Sequence, residues 1–140
     1  MNKLIWKAWV AVHVFLYRLT GGRFGGEMRG FKVLLLTTAG RRSGKQRTRP
    51  LGYFEHDGGY VIIASNGGQP SNPGWYYNLK ANPRVDVQIK DQRLTVKAEQ
   101  VPSEAHAALW NKLISIAPSY DDYPKRTTRE IPLILLKPVA

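Results

Sequence analysis

The 140-residue sequence contains no cysteine. Disulfides, thiolate metal sites and a cysteine nucleophile are therefore excluded. Acidic residues are few as well: 10 Asp and Glu stand against 21 Lys and Arg, which gives a formal charge of +11 and a pI of about 10.1. This imbalance predicts an anionic partner, which could be a nucleic acid, an acidic membrane surface or an anionic small molecule.

Several common motifs are also missing. The sequence has no G-x-x-x-x-G-K-[ST] phosphate loop and no G-x-S-x-G nucleophile elbow. The histidines, His13, His56 and His106, lack metal-ligand spacing, so each is predicted to be structural or solvated and no metal is expected. GGRFGG at residues 21–26 follows a helix and precedes none, which indicates a hinge or linker rather than a nucleotide loop.

The hydrophobic pattern predicts one domain that is mainly β structure. A helix covers the N-terminus and ends at Gly21-Gly22. From Phe31 about six short strands follow, mostly joined by hairpins, and a long helix with Ser103 as its N-cap precedes the last strand. Because strands and helices do not alternate, a small, mostly antiparallel barrel with attached helices is expected rather than a parallel Rossmann sheet.

The first helix has an unusual surface. Lys3, Lys7 and Arg18 fall on one narrow face, and the rest is apolar and rich in tryptophan. Its uncharged stretch, residues 8–17, is shorter than the about 20 residues that span a bilayer. Such a helix suits a membrane interface, and the alternative is that it docks on its own domain or on a second subunit.

The strongest candidate for a binding site is the loop TTAGRRSGKQRTRP, residues 37–50. It joins two predicted strands and carries five basic residues and no acidic one. Its backbone amides could converge on an anion, and its guanidinium groups could clamp phosphate or carboxylate oxygens in bidentate fashion. A solvated hairpin tip is the alternative. The basic members of the loop are Arg41, Arg42, Lys45, Arg47 and Arg49.

Three further segments are candidates for contacting a flat ligand. ASNGG, residues 64–68, ends an apolar strand with small residues that let a ligand approach the backbone closely. Trp75, in the segment NPGWYYNL, could wall a ring or belong to the core. Tyr120 and Tyr123 lie in a polar linker, where a phenol could hydrogen-bond a substrate carbonyl or protonate it. The alternative for these tyrosines is a helix end with exposed aromatic rings.

Together these segments resemble the deazaflavin-dependent nitroreductase family of flavin/deazaflavin oxidoreductases, class A, of the quinone-reductase type. LLLTTAGRRSGKQRTRPL, VIIASNGGQPSNPGWYYNLKANP and PSYDDYPKRTTREIPL carry the resemblance, which runs from Phe31 to Pro138. It implies a split β-barrel of the flavin-reductase or FMN-binding kind. It also implies coenzyme F-420, an 8-hydroxy-5-deazaflavin with a phosphodiester and a polyglutamate tail. The phosphate and carboxylates of that tail would be the anion that the basic loop attracts.

The resemblance also implies roles for individual residues. Tyr120 and Tyr123 match tyrosines that face the substrate in this family. The negative charge that develops on the acceptor oxygen needs a donor, and Ser65, Tyr120 and Tyr123 are the catalytic groups expected to supply it. The cofactor tail would be held by Arg41, Arg42, Ser43, Gly44, Arg47 and Arg49. The deazaflavin ring would lie against Pro50, Leu51, Ile63, Ala64, Ser65 and Asn66, with Trp75, Tyr76 and Asn78 nearby.

The sequence departs from the family pattern in two places. Asn66 stands where a lysine is common, so one charge contact would be missing. Lys125 and Arg126 stand where a further aromatic residue is often found, which bears on the substrate range.

The implied function is that of an oxidoreductase that uses reduced coenzyme F-420 to transfer hydride to quinones, enones or nitroaromatic compounds. The alternative is a protein that binds or carries F-420, another flavin or a lipid without turnover. The Arg-rich loop favours F-420 over FMN. A nucleic-acid binder would leave ASNGG and NPGWYYNL unexplained, so no nucleic acid is expected.

The expected organisation follows from the same features. Residues 1–30 would form the amphipathic helix and a Gly-rich linker, and residues 31–140 the deazaflavin-binding barrel. The expected location is the cytoplasm, with peripheral contact of residues 1–20 to the inner face of the membrane. A homodimer is a further expectation.

Overall fold

In a computed structural model of the protein, residues 2–28, 31–125, 127 and 129–139 are described. Arg126, one of the residues that depart from the family pattern, lies outside them. The described residues form the helices α1 (Lys3–Thr20), α2 (Gly74–Ala81) and α3 (Ser103–Ile116). Their strands are β1 (Glu27–Met28), β2 (Phe31–Ala39), β3 (Gln46–His56), β4 (Gly59–Ile63), β5 (Arg84–Ile89), β6 (Gln92–Gln100) and β7 (Leu133–Pro138).

Six of these strands close into an antiparallel barrel. Their order is β2-β3-β4-β7-β6-β5, and pairing between β5 and β2 completes the circle. At the closure Leu35 of β2 pairs with Pro50 of β3 on one side and with Gln88 of β5 on the other. The predicted fold, an antiparallel barrel with an N-terminal helix and a helix before the last strand, is confirmed.

Two hydrophobic cores lie on opposite sides of the barrel wall. Because side chains alternate across a strand, Ile62 of β4 points into the barrel while Val61 and Ile63 point outwards, beneath α3. This explains why the predicted third strand is apolar throughout. The inner core includes Leu34, Leu36, Tyr53, Val87, Val96, Ile134 and Leu136, and the outer core includes Phe31, Phe54, Leu109, Leu113 and Leu133.

The connections follow local signals except at the start of α3. Asp57 and Gly58 take positive φ values of 53° and 74° in the predicted turn between β3 and β4. The prediction of Ser103 as an N-cap is wrong, because Pro102 holds the extended cap conformation and no side chain caps the helix. Ser103 is instead the first helical residue. Part of the predicted polar linker also forms a 3-10 turn, Pro118–Asp122.

Helix α1 packs one face on the barrel and leaves the other exposed. Val10, Val14 and Tyr17 form a small core with two residues of β2. On the outer side, Leu4 is 75% exposed and Phe15 is 62% exposed. Docking on its own domain therefore accounts for one face of the helix only. Among the described helices, none is both long enough and apolar enough to cross a bilayer.

Tyr17 fastens α1 to the barrel. Its side chain is fully buried, and its hydroxyl accepts a hydrogen bond from the Lys90 backbone N–H at 2.7 Å. The same hydroxyl lies 3.1 Å from the Val33 carbonyl and 3.3 Å from the Gln88 carbonyl, to which it donates. Burial raises the pKa of Tyr17, and the bond from Lys90 partly opposes this. One phenol thus joins α1, β2 and the turn after β5.

Replacing Tyr17 with phenylalanine should therefore destabilise the protein by about 1–3 kcal/mol, because buried backbone groups would lose their partner. Urea unfolding followed by circular dichroism measures the change. Tyr77→Phe is the matched control, since the Tyr77 side chain is 39% exposed, and its effect should stay within about 0.5 kcal/mol. Equal losses in the two variants would contradict this account of α1.

Candidate functional site

A cleft of about 940 Å³ lies between the β2–β3 hairpin, the end of β4, the start of α2 and helix α1. It brings together most of the site residues predicted from the sequence. Of the predicted residues, those that line it are Arg41, Arg42, Ser43, Arg47, Arg49, Pro50, Leu51, Ile63, Ser65, Asn66, Trp75 and Asn78.

The lining of the cleft divides by chemistry. The hairpin and the first half of β3 contribute cations, and Arg47 and Arg49 share a face of β3 because side chains alternate along a strand. Leu51, Ile63 and Trp75 contribute apolar surface. The cleft can therefore hold a ligand that is anionic at one end and flat and apolar at the other.

The hairpin uses most of its own backbone amides. The Gly40 N–H donates to the Lys45 carbonyl and the Gly44 N–H donates to the Gly40 carbonyl, both at 2.8 Å. The Lys45 N–H donates to Ser43 Oγ at 3.2 Å. Closing the turn consumes these donors, whereas the Arg42 and Ser43 N–H groups have no hydrogen-bond partner among the described residues. The predicted nest of converging backbone amides therefore stays a prediction, and these two amides and the guanidinium groups are the donors left to meet an anion.

Asn78 of α2 holds Arg41 in place. It is buried, and its Oδ1 accepts from the Arg41 backbone N–H at 3.1 Å and from Arg41 Nη1 at 3.3 Å. Its Nδ2 donates to Thr38 Oγ1 at 3.2 Å. The Arg41 guanidinium also lies 5.1 Å from the centre of the Tyr77 ring. Asn78 lines the cleft, but its polar atoms serve to position Arg41.

The arginines of the cleft have no carboxylate partner. The ion pairs found among the described residues are Lys32–Glu55, Lys125–Asp122 and Lys137–Glu99, and none of them includes an arginine. Burial lowers the pKa of Arg49, and the positive charge of Arg47 lowers it further. The cleft therefore carries an excess of positive charge that an anionic ligand would neutralise.

Ser65 and Asn66 begin the loop that follows β4. Asn66 takes a positive φ of 47°, which asparagine tolerates better than most residues, and its Nδ2 donates to the Ser71 carbonyl at 2.9 Å. The Ser65 hydroxyl has no hydrogen-bond partner among the described residues. It is therefore available to a ligand in the cleft.

Five predicted site residues are not among the residues that line the cleft. Tyr76 lies in the inner core, where its hydroxyl donates to Gln100 Oε1 at 2.7 Å and accepts from Lys80 Nζ at 3.2 Å. These hydrogen bonds give Tyr76 a structural role. The complete set is Gly44, Ala64, Tyr76, Tyr120 and Tyr123.

Tyr120 and Tyr123 lie beside the cleft, on the outer core. The Tyr120 ring packs edge-on against Phe31 and Tyr123, with centroid distances of 5.5 Å and 5.4 Å. A Cβ atom at Gly52 would stand 2.9 Å from the Tyr120 hydroxyl, so this hydroxyl lies over the face of β3 that Gly52 shares with the cleft-lining Pro50. Burial, with a smaller contribution from Tyr123, raises the pKa of Tyr120 to about 12.

Sequence reasoning missed that α1 forms a wall of the cleft. Lys3, Trp6, Val10 and His13 recur at the spacing of one helical face, which was the available signal. His13 is buried against the turn after α1, with Nε2 3.0 Å from the Gly25 carbonyl. Other lining residues that were not predicted are Trp9, Thr38, Gly40, Gln69, Pro73 and Gly74.

Within the described part of the chain, no cluster of three or more histidine and acidic side chains could hold a metal.

Removing the support of Arg41 should weaken anion binding. Asn78→Ala frees the Arg41 side chain, and immobilising it again costs about 0.5–1.5 kcal/mol, which corresponds to about a 2- to 10-fold loss of affinity. Inorganic tripolyphosphate is the probe, and isothermal titration calorimetry gives its Kd. Asn82→Ala, at the exposed end of α2, is the control. Unchanged affinity in Asn78→Ala would show that Arg41 needs no support.

Comparison with known proteins agrees with this geometry. Residues 9–138 match the family model described as F420H(2)-dependent quinone reductase. An F420H(2)-dependent quinone reductase of Mycobacterium tuberculosis (strain ATCC 25618 / H37Rv) is 40% identical over 129 residues, which cover 89% of this chain and 87% of the relative.

Solved structures show the same fold. One, described as an F420-H2 dependent reductase, has 38% identity and a TM-score of 0.68, and the match covers 78% of this chain and 95% of the other. Another, described as a domain-swapped dimer, has 33% identity and a TM-score of 0.71, with 97% of this chain and all of the other covered (100%). The resemblance inferred from the sequence motifs is thereby confirmed, and the chain belongs to the F420H(2)-dependent quinone reductase family.

Proposed function

We propose that the protein is an oxidoreductase that uses reduced coenzyme F-420 to reduce quinones. The observation that carries the proposal is the cleft, in which arginines without carboxylate partners stand beside an apolar wall and a free serine hydroxyl. Relatives that are named F420H(2)-dependent quinone reductases support it. Enones and nitroaromatic compounds are further candidate acceptors, because they also accept hydride.

The residues of the cleft fit coenzyme F-420. Its phosphodiester and glutamate carboxylates would be held by Arg41, Arg42, Arg47 and Arg49, with Ser43 beside them. Its ring system would lie against the apolar wall, whose members are Pro50, Leu51, Ile63 and Trp75. The cleft volume of about 940 Å³ is in the upper range of small-molecule sites, about 300–1,000 Å³, which suits a ligand of this length. FMN, with one terminal phosphate, would leave most of the arginines unpaired.

When bound, the reduced deazaflavin supplies two electrons as a hydride from its C5 atom. The protein must hold the acceptor against the cofactor and stabilise the negative charge that develops on the acceptor oxygen. Ser65 can donate a hydrogen bond to this oxygen, since its hydroxyl lines the cleft and has no partner among the described side chains and backbone groups. Tyr120 and Tyr123 would face the acceptor from the neighbouring segment.

Tyr120 suits the role of a neutral donor. Its pKa of about 12 keeps the phenol protonated up to about pH 10. The ordinary tyrosine pKa of 10.0 would allow ionisation to begin below pH 10. A raised pKa therefore extends the pH range over which Tyr120 donates.

The direct test is turnover of reduced F-420 with menadione, monitored by the return of the oxidised deazaflavin absorbance. Ser65→Ala should lower kcat about tenfold, because one donor to the developing charge is lost. Tyr120→Phe should lower kcat as well.

The activity of the wild-type protein should not fall between pH 8 and about 10, since Tyr120 stays neutral there.

Ser119→Ala is the control for this assay, because Ser119 is exposed in the 3-10 turn next to Tyr120. Tight F-420 binding without turnover of menadione or a nitroaromatic compound would favour the alternative, a protein that carries the cofactor. Full activity in both Ser65→Ala and Tyr120→Phe would remove these residues from the mechanism.

We further propose that the exposed face of α1 makes peripheral contact with the inner face of the cell membrane. Apolar residues on this face are solvent-exposed, whereas Lys3 and Lys7 lie on the stripe of the helix that also carries the buried Val10 and Val14. Burial of the exposed apolar side chains in the membrane interface would therefore carry the contact. Trp6 and Trp9 are half exposed and also line the cleft, so this surface continues into the site. A lipid-soluble quinone could pass along it. The exposed apolar residues of the helix are Leu4, Ile5, Trp6, Trp9, Val12, Phe15 and Leu19.

Point substitutions test the membrane contact better than deletion of α1, because the hydrogen bonds of Tyr17 make this helix part of the fold. Ile5→Ser combined with Phe15→Ser should abolish sedimentation of the protein with phosphatidylglycerol-containing vesicles. Ile116→Ser, at a residue 46% exposed on α3, is the matched control. If the double variant binds vesicles normally but changes from dimer to monomer in light scattering, the face contacts a second copy instead, as the relative described as a domain-swapped dimer would suggest.

A further inference from the structure

The guanidinium group of Arg129 donates four hydrogen bonds to one short segment of the chain. Its Nε donates to the Gln69 carbonyl at 3.0 Å and its Nη1 donates to Asn72 Oδ1 at 2.6 Å. Its Nη2 donates to the carbonyls of Ala64 at 3.2 Å and Ser65 at 2.9 Å. All four acceptors belong to residues 64–73, which connect β4 to α2 and are called the cleft loop below.

The cleft loop has few other links to the rest of the protein. Its own hydrogen bonds close it on itself: the Gly68 N–H donates to the Ser65 carbonyl, and Asn66 Nδ2 donates to the Ser71 carbonyl. Within the described residues, its outward hydrogen bonds apart from those of Arg129 are the Ala64 N–H to the Pro132 carbonyl and the first turn of α2. Arg129 is therefore the main polar link that fixes the position of this loop.

The position of the loop matters because four of its residues line the cleft. These are Ser65, Asn66, Gln69 and Pro73, and Ser65 is also the proposed donor to the substrate. Arg129 itself is not among the cleft-lining residues. It bonds to the backbone of Ser65 and Gln69 from behind, so it can set where their side chains lie without touching a ligand.

The chemistry of the contact requires arginine. The acceptors are spread over four residues, and a planar guanidinium group with five donors in a fixed fork can reach them all. A lysine ammonium has three donors on one atom and cannot span the same set. None of the acceptors is a carboxylate, so charge pairing alone does not explain the residue. Burial lowers the pKa of Arg129, and the nearby Tyr77 opposes this.

We propose that Arg129 is a positioning residue of the active site, which locks the cleft loop in the conformation that binds cofactor and substrate. The link to F-420 rests on the function proposed above, whereas the ordering of the loop does not. Substitution should therefore loosen the cleft-loop side of the acceptor site.

Hydrogen–deuterium exchange of the ligand-free protein tests the ordering. Arg129→Gln and Arg129→Lys should both speed exchange in peptides that cover residues 64–73 while leaving β5 and β6 unchanged. Lysine should not restore protection against exchange, because it keeps the positive charge but lacks the forked N–H donors of the guanidinium group. Arg93→Gln, which removes an exposed arginine on β6, is the matched control and should change nothing in the cleft loop.

F-420 titration of the same variants tests the consequence for binding. Arg129→Gln and Arg129→Lys should each raise the Kd about tenfold, while their melting temperatures stay close to that of Arg93→Gln. Asn72→Ala should raise the Kd by less, and the double variant should show non-additive losses, because Asn72 acts through its 2.6 Å bond to Arg129.

Each outcome bears on the proposal. Unchanged exchange in residues 64–73, or faster exchange spread over the whole barrel, would overturn the positioning role. Faster exchange in the loop with an unchanged Kd for F-420 would overturn its role in the site. If the wild-type protein failed to bind F-420, the proposed function would fall, and the exchange measurement would still decide whether Arg129 orders the loop.

Discussion

The repulsion among Arg41, Arg42, Arg47 and Arg49 is the constraint to which the rest of the site is adapted. The β2–β3 hairpin brings these cations into one cleft, and no carboxylate in the described part of the chain pairs with them. Burial lowers the pKa of Arg49, and the positive charge of Arg47 lowers it further. The barrel tolerates the repulsion among the arginines because the hairpin is closed by its own backbone hydrogen bonds. A bound anion, such as the phosphate and carboxylates of coenzyme F-420, would relieve this repulsion.

The side chains that would contact the ligand are held in place by side chains whose own polar atoms are already hydrogen-bonded within the protein. Asn78 anchors Arg41 from α2, Arg129 holds the cleft loop from behind, and Tyr17 fixes the helix that walls the cleft. Each such hydrogen bond contributes only about 1 kcal/mol to stability. Their larger effect is preorganisation, since side chains that are already immobile lose less entropy when cofactor and acceptor bind. The site thus depends on polar contacts that lie one layer away from it.

The fold was accessible from the sequence because its signals are local. The alternation of β4 between two cores, the Asp57-Gly58 turn and the Gly21 helix end each depend on neighbouring residues. The supports of the site depend on distant ones: Tyr17 meets Lys90 across 73 positions, and Arg129 meets Ala64 across 65. A polar linker gives no sign that one of its arginines makes four such contacts. Family resemblance likewise could not show that the hydroxyl of Tyr76 binds Gln100 rather than a ligand.

The most direct measurement is the affinity for F-420 compared with that for its fragment lacking the phosphodiester and glutamates. Quenching of tryptophan fluorescence gives both, because Trp6, Trp9 and Trp75 line the cleft. We expect the fragment to bind about 100-fold more weakly, as two charge-assisted contacts or more would be lost, and the gap to narrow at high salt. Equal affinities for F-420 and the fragment at low salt would contradict the claim that the arginine cluster exists to bind the anionic tail.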